Sequence, residues 1–252
     1  MISADFGISV ATPLRDPING FRVGCEFEIE DIKSHELVSD FVSITNDGSL
    51  RNGGYEYITP AITVPEALTT FSKLHSLLVY GNEPFTERTS IHVHVNCCNL
   101  TQLEVRGIVL LYALFEEAFF MMVDPSRRDN IHCVALTETH LPSIYRTGLS
   151  TWVSKWHKYT ALNLKPLSTQ GTIEFRHMHG HNEFVVFEAW ILLLEKLVSL
   201  GRGFAVTAEN LEEDNLAMIF NELFGHTVLK NQWASIRFAM ENQIMDVKLS
   251  TI

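Results

Sequence analysis

The ten residues from Phe21 to Glu30, FRVGCEFEIE, alternate strictly between two kinds of side chain. The apolar set is Val23, Cys25, Phe27 and Ile29, and the alternate set is Arg22, Gly24, Glu26, Glu28 and Glu30. A period of two predicts a β-strand with one buried face. Because the apolar face is the one that packs, Glu26 and Glu28 share the opposite face. A solvated outer face is the ordinary interpretation of one such pair.

The same pattern recurs in three further strand-like segments, 55–58 (YEYI), 91–96 (IHVHVN) and 172–176 (TIEFR). Each segment alternates bulky apolar residues with polar ones. The polar residues are Glu56, His92, His94, Asn96, Glu174 and Arg176. The repetition indicates a polar sheet face with a function.

If these faces meet in one concave sheet, several acids converge, together with Asp47 from the turn NDGS at 46–49. The converging residues are Glu26, Glu28, Asp47, Glu56, His94 and Glu174. Two bare carboxylates about 4 Å apart repel by roughly 4 kcal/mol at an effective dielectric of 20, so cations are expected among them. Carboxylates with one imidazole suit Mg²⁺ or Mn²⁺ better than zinc. Two such ions and Arg176 would neutralise five carboxylates. Hard ions recruit phosphate oxygens, so the pattern favours nucleotide chemistry without requiring it.

The rest of the chain predicts an α+β fold, with helices packed on one face of a mostly antiparallel sheet. Capping boxes at Thr63–Glu66 and Thr101–Glu104 begin two of the helices. Predicted helices lie at 63–81, 101–123, 182–200, 208–224 and 228–245, and further strands lie at 42–45 and 161–164. Residues 1–20 are predicted to be an N-terminal arm, and 21–252 a single catalytic domain with C-terminal helices from about residue 205.

The amino-acid composition excludes several classes of protein. The 252 residues are 46% hydrophobic and have a formal net charge of −11, which excludes disorder and argues against direct nucleic-acid binding. The longest apolar stretches, 108–114 and 189–194, are too short to span a membrane. The first sixteen residues have no signal-peptide core, so a cytoplasmic protein is expected. The four cysteines form no C-x-x-C pair and are expected to be reduced core residues.

At this point an ordered set of motifs resembles the amidoligase family. The motifs are GCEFE at 24–28, DGS at 47–49, GYEYITP at 54–60, SIHVHVN at 90–96, residues 159–163, and GTIEFR at 171–176. This family belongs to the carboxylate–amine ligase superfamily, together with glutamine synthetase and glutamate–cysteine ligase. The motifs span Gly24 to Arg176 in the family's order, and the last fifty residues contain no matching motif.

The resemblance implies a curved, glutamine synthetase-like sheet and the ATP-dependent joining of a small-molecule or peptide carboxylate to an amine through an acyl-phosphate. Two Mg²⁺ ions, with Mn²⁺ as a substitute, are implied as cofactors. One would be held by Glu28, Asp47 and Glu56, and the other by Glu26, His94 and Glu174. Arg176 would contact the ATP phosphates, with Glu28 and Glu174 also catalytic, and Tyr159 and Asn163 would line the nucleotide or substrate pocket. Relatives occur in bacteria and phages, so the host cytoplasm is the expected location for a phage protein, and an oligomer is compatible with the family.

Several alternatives stay open. His94 is preferred to His92 because the family places an Asn two residues after its ligand histidine, and Asn96 fits. Asp47 could instead stabilise its turn. His177, His179 and His181 form an H-x-H-x-H run that would suit a zinc-dependent hydrolase. A catalytically degenerate relative that binds a nucleotide or a protein is the other alternative. Substrate specificity is expected to reside in loops such as 125–149.

Overall fold

In the computed structural model, which describes residues 1–8, 20–136 and 147–250, the predicted strands form a six-stranded antiparallel sheet. The strands in chain order are β1 (Val23–Ile29), β2 (Ile32–Ser34), β3 (Ser43–Thr45), β4 (Tyr55–Ile58), β5 (Val79–Tyr80), β6 (Ser90–Asn96), β7 (Leu162–Asn163) and β8 (Thr172–His179). The order in the sheet is β3-β4-β1-β6-β8-β7, while β2 and β5 form a separate ribbon. The four strands that carry predicted metal ligands, β4, β1, β6 and β8, are therefore consecutive neighbours.

The predicted faces of the strands are confirmed. Val23, Cys25, Phe27 and Ile29 of β1 are all buried in the core. So are the alternate apolar residues of β6 and β8, namely Ile91, Val93, Val95, Ile173 and Phe175. The fold is α+β with a mostly antiparallel sheet, as the sequence predicts.

Helices cover the apolar face of this sheet. They are α1 (Ile2–Asp5), α2 (Val64–Leu77), α3 (Gln102–Met121), α4 (Leu149–Lys155), α5 (Phe184–Gly201), α6 (Glu213–Phe224), α7 (Trp233–Ala239) and α8 (Glu241–Ser250). Both predicted capping boxes are present, at Thr63–Glu66 and Thr101–Glu104. Helices α3 and α5 cross closely at Gly107 and Gly201. A Cβ on Gly107 would lie 2.1 Å from the carbonyl oxygen of Gly201, so this approach requires glycine. None of the described helices has the length and hydropathy needed to cross a bilayer.

Some predicted boundaries were wrong. Helix α2 ends at Leu77, not near Gly81, because Val79 and Tyr80 pair with β2. The predicted helix 208–224 is a 3-10 turn (Glu209–Leu211) followed by α6, and the predicted helix 228–245 is divided into α7 and α8. Glu241 begins α8, where an acid favours a new helix start. Helix α4 was not predicted.

The predicted N-terminal arm contains helix α1, whose Ile2 is buried and whose backbone N–H donates to the carbonyl of Leu100. Residues 9–19 of the arm and residues 137–146 of the predicted specificity loop lie outside the described residues. The division of the chain into an arm and one domain stays a prediction.

Candidate active site

Strand register brings the predicted polar residues together on the face of the sheet opposite the helices. The cross-strand pairs are Glu28 with Glu56, Glu26 with His92, and His94 with Glu174. Directly opposed side chains on one sheet face lie about 5 Å apart at Cβ. The register alone therefore makes one continuous cluster of carboxylates and imidazoles.

Glu28, Asp47 and Glu56 form one set of potential metal ligands, which we call the acidic group, with one donor atom from each residue within 4.8 Å of the others. Each carboxylate accepts a hydrogen bond at one oxygen. The donors are the Ser90 hydroxyl to Glu28 Oε2, the Ser49 backbone N–H to Asp47 Oδ1 at 2.6 Å, and the Thr45 hydroxyl to Glu56 Oε2 at 2.9 Å. The second oxygen of each accepts no hydrogen bond from a described residue. This arrangement orients three carboxylates and leaves an oxygen of each available to a cation.

Asp47 combines the two roles that the sequence left open. Its Oδ1 accepts from both the backbone N–H and the hydroxyl of Ser49, which stabilises the turn. Its carboxylate nevertheless belongs to the acidic group with Glu28 and Glu56.

Glu26, His94 and Glu174 form a second set of potential ligands, the histidine group, with their donor atoms also within 4.8 Å. His94 Nε2 lies 3.2 Å from Glu26 Oε1, and its Nδ1 lies 3.0 Å from the Thr172 hydroxyl. Glu174 Oε2 accepts from the side-chain amide of Asn163 at 2.6 Å. Hydrogen bonds from the surrounding strands therefore fix the ring and the carboxylate of this group.

His92 is a member of the site that the sequence analysis set aside in favour of His94. It forms a third potential ligand set with Glu26 and Glu56. Its Nδ1 lies 3.3 Å from Glu26 Oε2 and 3.6 Å from Glu174 Oε1, and Ser90 Oγ lies 2.8 Å from its Nε2. Both histidines thus lie in the cluster, with His92 between the two groups. The alternation of the HVHVN motif contained this signal.

The pKa values of the ionisable groups in the cluster are shifted in different directions. Burial raises the pKa of Glu56, and the negative charges of Glu26 and Glu28 raise it further. Burial opposes ionisation of Glu26 as well, but hydrogen bonds from His92 and His94 outweigh it and lower the pKa of Glu26. Burial would lower the pKa of His94, yet its hydrogen bond to Glu26 leaves that pKa raised. The acidic group therefore contains carboxylates whose repulsion a cation would relieve.

Arg176 lies beside the histidine group and is half-buried. Its Nη1 pairs with Glu174 Oε1, its Nε donates to the carbonyl of His132 at 3.1 Å, and its Nη2 donates to no described residue. Arg176 is also part of a β-bulge in β8. Val93 pairs with Phe175 but Ile91 pairs with Met178, so Arg176 and His177 both oppose His92.

The buried Arg127 supports this bulge, a role that the sequence did not indicate. Its guanidinium donates to the carbonyl of Arg176 at 2.7 Å and to that of His177 at 3.1 Å. Burial lowers the pKa of Arg127. The side chain thus satisfies the bulged backbone that presents Arg176.

A cavity of about 930 Å³ adjoins the cluster. Of the predicted site residues, Glu28, Asp47, Tyr159 and Arg176 line it. Asn163 was also predicted to line a pocket, but it is buried, hydrogen bonded to Glu174, and absent from the cavity wall. Tyr159 packs edge-on against His132, with ring centroids 4.9 Å apart.

The H-x-H-x-H run does not converge on one point. His177 is buried among aromatic rings, with its Nε2 2.7 Å from the Tyr112 hydroxyl. His179 and His181 accept backbone N–H bonds from Asp124 and Glu183, respectively. Burial lowers the pKa of His177 and of His181 to about 3. Within the described part of the chain, no potential metal-ligand set includes any of these three residues.

The fold is α+β with an antiparallel sheet. Its site combines two adjoining sets of potential metal ligands with an arginine and a large cavity, and together these features define a class of protein. A family described as "putative amidoligase enzyme" matches residues 25–198, more than half of the chain. The chain belongs to this family. The match covers every predicted metal ligand, and the family description is consistent with a ligase. A search of curated proteins gives no match.

Proposed function

We propose that this protein is an ATP-dependent carboxylate–amine ligase that forms an amide or peptide bond, with a sheet curved like the catalytic domain of glutamine synthetase. The single observation that supports this most is the meeting of the two ligand groups, delivered by β1, β4, β6, β8 and the Asp47 turn, beside Arg176 and the large cavity. Membership of the amidoligase family supports the same reaction class.

The donor set fits divalent Mg²⁺ or Mn²⁺. The acidic group offers three carboxylates and no other donor, and the histidine group offers two carboxylates with one imidazole. Oxygen-rich sets of this kind suit hard cations. Burial raises the pKa of Glu56, and the charges of Glu26 and Glu28 raise it further, so a cation bound here would favour its ionised form. Bound ions would supply positive charge next to the phosphates of ATP and the reacting carboxylate.

The proposed reaction has two steps. A carboxylate oxygen of the acid attacks the γ-phosphorus of ATP, and the bond to the ADP oxygen breaks. The amine nitrogen then attacks the acyl carbon of the resulting acyl-phosphate, and phosphate leaves with the proton that the amine loses. Arg176 Nη2, which donates to no described residue, is available to a phosphoryl oxygen, and a planar guanidinium suits that group. Tyr159 lines the same cavity and is the aromatic side chain proposed to contact the nucleotide.

The test is ADP release from ATP and Mg²⁺ in the presence of mixed acids and amines, with hydroxylamine as a general amine. We expect release that depends on both an acid and an amine. The double variant E26Q/E174Q should abolish it and should weaken binding of Mg²⁺–ATP in calorimetry. E36Q is the matched control, because Glu36 is exposed and outside the cluster and the cavity.

The outcomes separate the alternatives. If Mg²⁺–ATP binds but no acid and amine pair stimulates ADP release, the degenerate nucleotide-binding relative is favoured. If Mg²⁺–ATP does not bind and the double variant changes nothing, the ligase proposal is wrong. Stoichiometric zinc in the purified protein would favour the hydrolase.

A further inference from the structure

Glu30, which directly follows β1, has a different environment from Glu26 and Glu28. It is completely buried and belongs to neither ligand group. Its Oε1 accepts from the backbone N–H of Arg51 at 2.7 Å, and its Oε2 accepts from the Thr86 hydroxyl at 2.9 Å. A buried carboxylate is costly unless it is hydrogen bonded. Glu30 therefore joins two loops, one before β4 and one before β6.

Both loops bring an arginine to the same cavity. Thr86 Oγ1 also accepts from the backbone N–H of Arg88 at 3.2 Å, so the Glu30 carboxylate is linked to the backbone of Arg51 directly and to that of Arg88 through one hydroxyl. Arg51 and Arg88 line the 930 Å³ cavity that Glu28 also lines. We call this pair the arginine edge.

Unlike the other cations of the cavity, the guanidinium groups of the arginine edge have no partner in the described part of the chain. Arg176 pairs with Glu174, Arg127 donates to two backbone carbonyls, and the Lys158 ammonium lies 4.6 Å from the Tyr159 ring centre. The guanidinium groups of Arg51 and Arg88 form no hydrogen bond or ion pair with any described residue. Glu87 and Asp129 also line the cavity, and neither pairs with them.

The arginine edge and the residues proposed for the nucleotide belong to different elements of the fold. Arg176 and Tyr159 belong to β8 and to the segment before β7, on one side of the two central strands. Arg51 belongs to the loop before β4, on the other side, and Arg88 comes just before β6. Three of the six residues of the ligand groups, Glu26, Glu28 and His94, belong to the central strands β1 and β6.

We infer that the arginine edge binds a second anionic group of the acid substrate, so that this substrate has at least one carboxylate or phosphate besides the carboxyl group that is activated. The identity of the ligand as the acid substrate rests on the proposed function, while the anion site itself rests on the geometry of Glu30, Arg51 and Arg88. Planar guanidinium groups on fixed backbones are well suited to carboxylate and phosphate oxygens.

The test uses calorimetry in Mg²⁺ without ATP, with three pairs of acids that differ by one anionic group: succinate and butyrate, glutarate and pentanoate, and 3-phosphoglycerate and glycerate. We expect at least one dianion to bind roughly tenfold or more tightly than its partner, and R51Q and R88Q each to weaken that binding by roughly tenfold. K230Q is the control, because Lys230 is exposed and outside the cavity.

A second pair of variants tests the link through Glu30. Thr86→Val removes the hydroxyl that joins Glu30 to the Arg88 backbone, whereas Thr86→Ser keeps it. T86V should weaken binding of the dianion several-fold, and T86S should restore it. In turnover, T86V and R88Q should raise KM for the acid and leave KM for ATP within twofold.

Each result decides the inference. It is overturned if no dianion binds more tightly than its partner, or if R51Q/R88Q binds the dianion as the wild type does. It is also overturned if the variants raise KM for ATP instead, because that result would assign the arginine edge to the nucleotide. Arginine-dependent binding of a dianion without any ADP release would support the anion site and contradict only the ligase proposal.

Discussion

Two histidine runs occupy neighbouring strands of the sheet, and their surroundings are opposite. His92 and His94 of β6 face carboxylates, and contact with Glu26 raises the pKa of His94 against the effect of burial. His177, in the run at the end of β8, lies in the aromatic core, and burial lowers its pKa to about 3. The residue type and the spacing are the same in both runs. The bulge in β8 and the neighbouring side chains decide which imidazoles can meet a cation.

The largest effect is expected from removing the imidazole of the histidine group. His94→Asn should lower the rate of acid-dependent ADP release by about 10²–10³-fold, a loss typical of one electrostatic group in an active site. It should also remove one of two bound Mn²⁺ ions. Calorimetric titration with Mn²⁺ and a coupled ADP assay measure both.

His181→Gln is the matched control for this substitution, because it changes a histidine of the other run. It should leave Mn²⁺ stoichiometry and ADP release within twofold of the wild type. A loss of metal in H181Q with retention in H94N would reverse the comparison and favour the zinc hydrolase.

A smaller effect is expected from the hydroxyl that orients His94. Thr172→Val removes the partner of Nδ1, 3.0 Å away, and should weaken Mn²⁺ binding by roughly 10–100-fold, as for other groups that position a metal ligand. Thr45→Val makes the same change next to Glu56 in the acidic group. Thr45 is exposed, so water can replace its hydroxyl and a weaker effect is expected. Equal effects of the two variants on Mn²⁺ affinity would contradict this difference.

A third effect is the pH dependence of the free energy of unfolding that His177, in the run at the end of β8, should cause. Because the folded protein keeps His177 neutral down to about pH 3 and an unfolded chain protonates it near pH 6.5, its contribution to stability is complete above pH 6.5 and declines as the pH falls. The free energy of unfolding should therefore drop by about 2 kcal/mol between pH 7 and pH 5 on account of this residue. Urea denaturation at both pH values measures it.

His177→Gln serves as the comparison in that experiment. The glutamine amide can still bond the Tyr112 hydroxyl but does not titrate, so the pH dependence should be weaker by the amount assigned to His177. His181, whose pKa burial also lowers to about 3, should retain its own share. An unchanged slope in H177Q would show that His177 is accessible to protons in the folded state.

The strands and their faces could be predicted because period-two alternation follows directly from the pleat. The bulge at Arg176 and His177 could not, since no Gly or Pro marks it, and its backbone is satisfied by Arg127 from a distant loop. The ribbon of β2 and β5 was missed because Val79 and Tyr80 directly follow α2 and were included in the helix predicted at 63–81.

Prediction of the site from local sequence patterns had the same limit as prediction of the fold. Alternation placed Glu26, Glu28 and Glu30 on one face, but β1 ends before Glu30. Glu30 is buried and hydrogen bonded to two loops, whereas Glu26 and Glu28 belong to the ligand groups. The choice of His94 over His92 used a family spacing, and the structure brings both into the cluster. Contacts between distant loops and strands, which local patterns do not encode, account for both differences.

The smallest effect is expected from the hydroxyl that links His177 to the helices. Tyr112 donates to Glu116 at 2.8 Å and lies 2.7 Å from His177 Nε2, all inside the core. Tyr112→Phe should lower the free energy of unfolding by about 1 kcal/mol, the usual value of one buried hydrogen bond, with no change in Mn²⁺ affinity. Tyr55→Phe is the control, because Tyr55 is only half-buried and its hydroxyl bonds no described residue. If Y112F instead lost Mn²⁺ affinity tenfold with unchanged stability, the β8 run would act on the metal site after all, because a purely structural imidazole can affect the site only through folding.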